Sequence, residues 1–387
     1  MNTEILYEKS TPPRKIGREV QFIEAERNTP RCGQGAFVRL KNGDIFYAYS
    51  ENFDGDKWAD EAKCHIMGCI SHDEGESFDE KFLVVEVPKG YKTVKCPSFL
   101  RLSDGDVGMV FIARLPNNAF QIFFARSKDE CKSWSLTPTL SGEDIDGKHA
   151  SYNVMNDRFL ELPSGRLIIP LEALPYEERA DGTYGYKGEE CFLCTLYSDD
   201  GGSTWINARQ MLSVPFIKTT HGLQEPAFLL MPDGRLRMFA RTNLGCQYEC
   251  YSRDGGETWT PPTPMEYFKS PLSPMVMKHI GKYTVAVYNP EPIHVLAVRP
   301  QLYVKNNCTL LTDRTPLVLS VSEDGGETFT RLYVLEDDPY SYFSYPAIFD
   351  GGDYILVSYY HSNRTEAVLS SSKTVKIMKS ELEDASC

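Results

Sequence analysis

The chain has 387 residues, 41% hydrophobic and 25% charged, with a formal net charge of −13. This is the composition of an ordinary globular protein. No apolar run approaches the ~20 residues of a membrane span, and the acidic balance argues against nucleic-acid binding, which needs a basic face. The N-terminal residues MNTEILYEK contain no apolar signal core, so a cytoplasmic location is expected. The eleven cysteines, odd in number and without a framework spacing, are then expected as reduced thiols.

A β-rich stretch near Arg18–Glu24 comes first, and hairpins then alternate with an octet repeat. AFVRLKNGDIFYAYS (36–50) leads through HIMGCIS to SHDEGESF (71–78), and SFLRLSDGDVGMVFIA (98–113) through QIFFARS to SKDECKSW (127–134). RFLELPSGRLIIPL (158–171) leads through CFLCTLYS to SDDGGSTW (198–205), and AFLLMPDGRLRMFAR (227–241) through QYECYS to SRDGGETW (252–259). SPMVMKHIGKYTVAVYN (273–289) precedes LVLSVS and SEDGGETF (322–329). PAIFDGGDYILVSYY (346–360) is the last hairpin; it lacks an octet, and its third strand is expected near Val375–Glu381. The N-G, D-G, S-G and G-G turns are hairpin signals.

In each octet the Asp side chain can bond nearby backbone N–H groups, Gly allows a left-handed turn, and the closing Trp or Phe is an apolar plug. A hairpin supplies strands one and two of a four-stranded unit, and the octet joins strands three and four. Six hairpins predict an all-β, six-bladed β-propeller of four-stranded antiparallel blades. Without an evident linker, residues 1–387 are expected as one domain, with the strand near Arg18–Glu24 closing the ring. Cys191 and Cys194 form a C-x-x-C, read as one thiol on each face of a strand.

In such a meander the start of strand one, the end of strand two and the start of strand three share one rim; the octets lie on the other. The near rim then carries Arg31, Asp54, Asp56, Asp60, Arg114, Arg158, Glu172, Glu225, Arg241, Arg314 and Tyr345. Arginines mixed with carboxylates over several blades suggest a site for an anionic small molecule, since a local guanidinium cluster outweighs distant, screened charge. His221, just before Glu225, is expected to line it. The seven histidines form no ligand pattern, and no metal or cofactor is expected.

The octets resemble the Asp-box repeats of the sialidase (neuraminidase) superfamily, and the resemblance runs from about Arg31 to Tyr360. More specific is GLQEPAFLLMPDGRLRMFAR (222–241), where Glu225 stands sixteen residues before Arg241. Arg314 lies eight residues before Ser322, and Tyr345, in FSYPAIF, about thirty residues beyond Arg314. The resemblance implies that Arg241 and Arg314 are the second and third arginines of a carboxylate-binding triad, Tyr345 the nucleophile and Glu225 its base. Asp60, eleven residues before Ser71, then resembles the acid/base, with Asp54 and Asp56 as rivals. For the first triad arginine the resemblance offers Arg31 in PRCGQGAF as the candidate, about two residues further from its hairpin turn than the family pattern, with Arg158 in ASYNVMNDR as a substitute or an additional ligand.

Such a set implies retaining hydrolysis of terminal sialic acid, or a related keto-acid sugar, from glycoconjugates or oligosaccharides. A neutral phenol avoids the repulsion a carboxylate nucleophile would meet from an anionic substrate. The alternatives are a glycosidase or lyase for another anionic sugar, and a non-catalytic carbohydrate-binding propeller. Neither nucleic acid nor membrane is an expected partner.

Overall fold

A computed structural model describes residues 13–53, 62–141, 144–145, 148–187, 190–208, 210–217, 219, 221–290, 314–363 and 369–383. Strands form where β-branched and aromatic residues run between turn residues. Strand β1 (Arg18–Ile23) belongs to the last sheet. Strands β2 (Cys32–Arg39), β3 (Ile45–Asn52), β4 (Cys64–Ser71) and β5 (Phe82–Val85) form one antiparallel meander. Strands β6 (Thr93–Arg101), β7 (Val107–Arg114), β8 (Phe120–Ser127) and β9 (Ser135–Ser141) form another. A single parallel pair, Cys64 with Thr93, merges these two into one eight-stranded sheet.

The next sheet has seven strands: β10 (Asp144–Ile145), β11 (Lys148–Asn153), β12 (Leu160–Glu161), β13 (Leu167–Glu178), β14 (Tyr184–Tyr186), β15 (Phe192–Ser198) and β16 (Ile206–Asn207). Two four-stranded meanders follow: β17 (Gln224–Leu230) to β18 (Leu236–Arg241), β19 (Cys246–Ser252) and β20 (Thr263–Lys269), then β21 (Val276–Ile280) to β22 (Tyr283–Tyr288), β23 (Leu317–Ser322) and β24 (Arg331–Glu336). In the last sheet β25 (Ser341–Asp350), β26 (Tyr354–Asn363) and β27 (Ser371–Met378) continue into β1, which pairs antiparallel with β27.

The architecture is an all-β propeller. Among the described residues the sheets number five, of eight, seven, four, four and four strands, which corrects the expectation of uniform four-stranded units. One cause is the Cys64–Thr93 pair. The other is β13, twelve residues long, whose far half runs past its neighbours and recruits β11 and β14. Strands β3, β7, β22 and β23 are buried along their whole length, as expected of strands covered on both faces.

The octets join strands three and four as their chemistry requires. In the first, Asp73 accepts from the Ser77 backbone N–H at 2.9 Å and from the Ser77 and Ser71 hydroxyls, while Gly75 N–H donates to Ser71 Oγ. The Ser77 bonds hold the Asp73 carboxyl down to about 2. The glycines have a second duty. Gly256 sits at φ +91°, where a Cβ would come within 2.4 Å of Ile168 Cδ1 on β13. At Gly75 (φ +77°) a Cβ would meet Leu356 of β26, so the first octet docks on the last sheet and closes the ring. Trp259 closes its octet by stacking on Phe228 and donating to Gly256 O and Thr195 Oγ1. Trp259→Ala is expected to cost about 3–5 kcal/mol, read as a lower denaturant midpoint at unchanged slope.

Asp157 is a buried cross-link. It pairs with Lys278 of β21 and accepts from Ile348 N–H of β25 at 2.9 Å.

Candidate active site

Four first strands share a local device. In β2, β6, β17 and β25 the register slips at a bulge. At each slip one non-glycine residue takes a left-handed backbone: Gln34 (φ 55°), Cys96 (61°), Glu225 (51°) and Tyr345 (55°). The local sequences, Gln34-Gly35-Ala36, Cys96-Pro97-Ser98, Glu225-Pro226-Ala227 and Tyr345-Pro346-Ala347, are one repeat position. Each left-handed residue costs ~1–3 kcal/mol, and a bulge re-aims the side chain it carries. Two of the four are the residues expected to do chemistry.

They meet. The Tyr345 hydroxyl donates to Glu225 Oε1 at 2.9 Å, with both residues buried. Arg241, from the end of β18, brings Nη1 to 2.8 Å from Glu225 Oε2, a charge contact whose N–H is not directed at the oxygen. Burial works against the Arg241 charge, but Glu225, Tyr345 and Glu172 outweigh it and push its pKa up. Arg314 lies with its guanidinium carbon 5.4 Å from the Tyr345 ring centroid, and its Nη2 donates to Leu272 O at 3.0 Å. Burial lowers the Arg314 pKa, and the neighbouring Tyr345 partly opposes this.

Arg158 is also buried. Its Nη2 donates to Met275 O at 2.9 Å, and Glu225 and Tyr345 are among the groups whose fields reach it. Burial pushes its pKa down to about 10, which leaves it charged at neutral pH. Arg31 arrives through Tyr360: Arg31 Nε donates to Tyr360 OH at 2.9 Å, and the Tyr360 ring packs edge-on against Tyr345 at 5.8 Å. His221 stands beside Arg241; burial, then that cation, lowers its pKa. Asp60, with its rivals Asp54 and Asp56, lies outside the described residues.

Nε and Nη1 of Arg158, Arg241 and Arg314 have no hydrogen-bond partner among the described residues. A buried charged donor left unsatisfied is costly, at least ~1–3 kcal/mol, so three in one cluster suit an anionic ligand that supplies acceptors. Among the described residues no group of three or more His, Cys, Asp or Glu is placed to hold a metal. Of the C-x-x-C pair, Cys194 packs in an apolar cluster with Tyr152 and Tyr176, while Cys191 meets Gln224 and Tyr186.

Sequence reasoning gave no role to Tyr360, Gln224, Cys191 or Asp157, and noted Glu172 only as a rim charge. The bulge repeat was a readable signal for the two central residues; the buried partners had none.

Comparison with known proteins agrees with this fold. The BNR repeat-like domain model matches residues 117–357, more than half of the chain. The chain therefore belongs to the BNR repeat-like domain family and is a propeller of the sialidase superfamily. A curated relative, the anhydrosialidase of the leech Macrobdella decora, is 31% identical over 105 residues, which is 27% of this chain and 11% of that protein. A leech intramolecular trans-sialidase structure superposes with a TM-score of 0.70 at 14% identity, covering 95% of this chain and 70% of that one. A mutant of the NanB sialidase from Streptococcus pneumoniae superposes with a TM-score of 0.67 at 13% identity, covering 95% and 71%. At these identities the superpositions speak for the fold.

Proposed function

We propose that the protein is a retaining exo-α-sialidase that removes terminal sialic acid, or a related keto-acid sugar, from oligosaccharides or glycoconjugates. The observation that carries the reading is the 2.9 Å bond from the Tyr345 phenol to Glu225, set among buried arginines. A phenol titrates near 10 when free, so at neutral pH it needs a base in contact, and Glu225 is that base. Arg241, Arg314 and Arg31 grip the substrate carboxylate, since a planar guanidinium meets a carboxylate with two parallel N–H bonds. Arg158 adds positive charge beside the pair. Tyr345 Oη attacks the anomeric carbon while its proton passes to Glu225. Asp60 protonates the departing glycosidic oxygen and then takes a proton from the water that frees the sugar. Two displacements retain the anomeric configuration.

We also read the ring as six blades in one domain, because a single residue pair joins the two meanders of the eight-stranded sheet. A second reading of the product draws on the leech relatives, one named an anhydrosialidase and one an intramolecular trans-sialidase complexed with 2,7-anhydro-Neu5Ac. In that reading a hydroxyl of the bound sugar, in place of water, releases Tyr345. The experiment is a fluorogenic sialoside assay with NMR of the first-formed sugar. Free α-sialic acid is the expected product; an anhydro sugar selects the second reading. Binding without turnover leaves a carbohydrate-binding propeller, and neither binding nor turnover rejects sialic acid as the ligand.

A further inference from the structure

A chain of hydrogen bonds starts at Arg241, which lies beside Glu225 of the Tyr345–Glu225 pair. Arg241 Nη2 donates to Gln224 Oε1 at 3.2 Å. Gln224 Nε2 donates to Cys191 Sγ at 3.4 Å, and the Tyr186 hydroxyl lies 3.6 Å from the same sulfur. The Glu172 carboxyl is a close electrostatic neighbour of the Cys191 thiol, and its Oε2 accepts from Asn153 Nδ2 at 3.1 Å. The hydrogen bonds run from a cation, Arg241, to the Cys191 thiol, and beside that thiol lies a buried carboxyl, Glu172, that the reaction above does not use. Strand pairing holds both ends: Gln224 is opposite Arg241, and Glu172 opposite Asn153 and Leu193.

We propose that Glu172 is a positioning residue that takes up a proton when the site binds a carboxylate sugar, exchanging one buried negative charge for another across Arg241. This rests on the reading of the site as one for an anionic sugar. Glu172 touches no substrate; it acts through Cys191, Gln224 and Arg241. Burial, reinforced by the Glu225 charge and opposed by Arg241, pushes its carboxyl up to about 7. Near neutral pH it is therefore divided between its two forms. A ligand carboxylate on Arg241 engages the cation that holds Glu172 ionised and adds a second negative neighbour, so the proton is bound more tightly. Binding that takes up a proton weakens as pH rises.

Among the described residues the other titratable or charged groups facing Glu172 are Glu225, Arg241, Cys191 and Tyr186, with His221 beyond Arg241. Burial raises Cys191 and Tyr186 away from neutrality, and burial lowers His221, so its charge changes on the acid side of the window.

The test is calorimetry of a dehydrated sialic-acid analogue with wild type and Glu172→Gln, in buffers of different ionisation heat, from pH 6 to 9. Wild type is expected to take up a growing fraction of a proton above pH 7, with Kd weakening up to about tenfold per pH unit. Glu172→Gln is expected to bind without that proton and with a nearly flat Kd from pH 7 to 9. Equal proton uptake and slope in the two proteins overturn the proposal. A ligand-free series separates this from failure of the sugar reading. Because the folded-state pKa of Glu172 is raised, its contribution to stability is full below its unfolded value and is lost as pH rises through about 7. The thermal midpoint of Glu172→Gln is thus expected to gain on wild type between pH 5 and 8. A constant difference overturns the proposal without any ligand; a widening one, with no sugar bound by either protein, overturns the sugar reading and keeps Glu172 as the titrating group.

Discussion

Tyr345→Phe is expected to lower kcat on an aryl sialoside by at least ~10³-fold, with little change in KM. The substitution deletes one oxygen, the one that donates to Glu225 at 2.9 Å. The ring remains, and with it the packing against Tyr360 and under Arg314, so the fold is expected to hold. The arginines that grip the substrate carboxylate are untouched, which is why the loss should fall on kcat. Glu225→Gln should follow in the same direction, since a carboxamide cannot take the phenol's proton while it still fills the space. Steady-state kinetics with a thermal midpoint for each variant provide the check. A Tyr345→Phe enzyme within tenfold of wild type would show that another group attacks the sugar.

The second large effect is on stability. Asp157→Ala is expected to destabilise the protein by about 2–5 kcal/mol, from an orphaned buried N–H at ~1–3 kcal/mol and a left-handed Ala at ~1–2 kcal/mol, with a smaller share from the ion pair, whose Lys278 end is 35% exposed. The Asp157 carboxylate is buried and serves two other strands, pairing with Lys278 of β21 and accepting from Ile348 N–H of β25. Its backbone is left-handed (φ 61°), a conformation Asp tolerates better than Ala. Alanine thus loses the ion pair, orphans an N–H and strains the chain. Asp157→Asn keeps an acceptor and the backbone preference and should lose clearly less. Denaturant unfolding of the two variants measures the difference; equal losses would mean that the Lys278 charge is indifferent to its partner.

The repeating chemistry made most of the fold legible. Every octet carries its own turn, because Ser71, Asp73, Gly75 and Ser77, and their counterparts, bond to one another. The strand read near Arg18–Glu24 is β1, paired with β27 in the last sheet. Sheet membership was not legible, since the Cys64–Thr93 pair and the recruitment of β11 and β14 by β13 depend on how strand ends align in space. At the site, order and spacing within the resemblance marked Tyr345, Glu225, Arg241 and Arg314, which lie together. Tyr360 and Glu172 carried no such mark. Tyr360 ends a hairpin that reads as core, and Glu172 reads as an ordinary rim charge until the fold buries it within the fields of Glu225 and Arg241.

The local units could be read from the residues in order: where a turn forms, which residues plug it, and which runs are strands. These rest on contacts between residues a few positions apart, so a short window holds all the information. The chemistry of the centre arises from contacts that form on folding. A phenol and a carboxylate 120 positions apart meet because two bulges aim them at one point. A carboxyl's proton affinity is set by burial and by charges on other strands, and field and desolvation depend on distance in space, which a linear pattern does not carry.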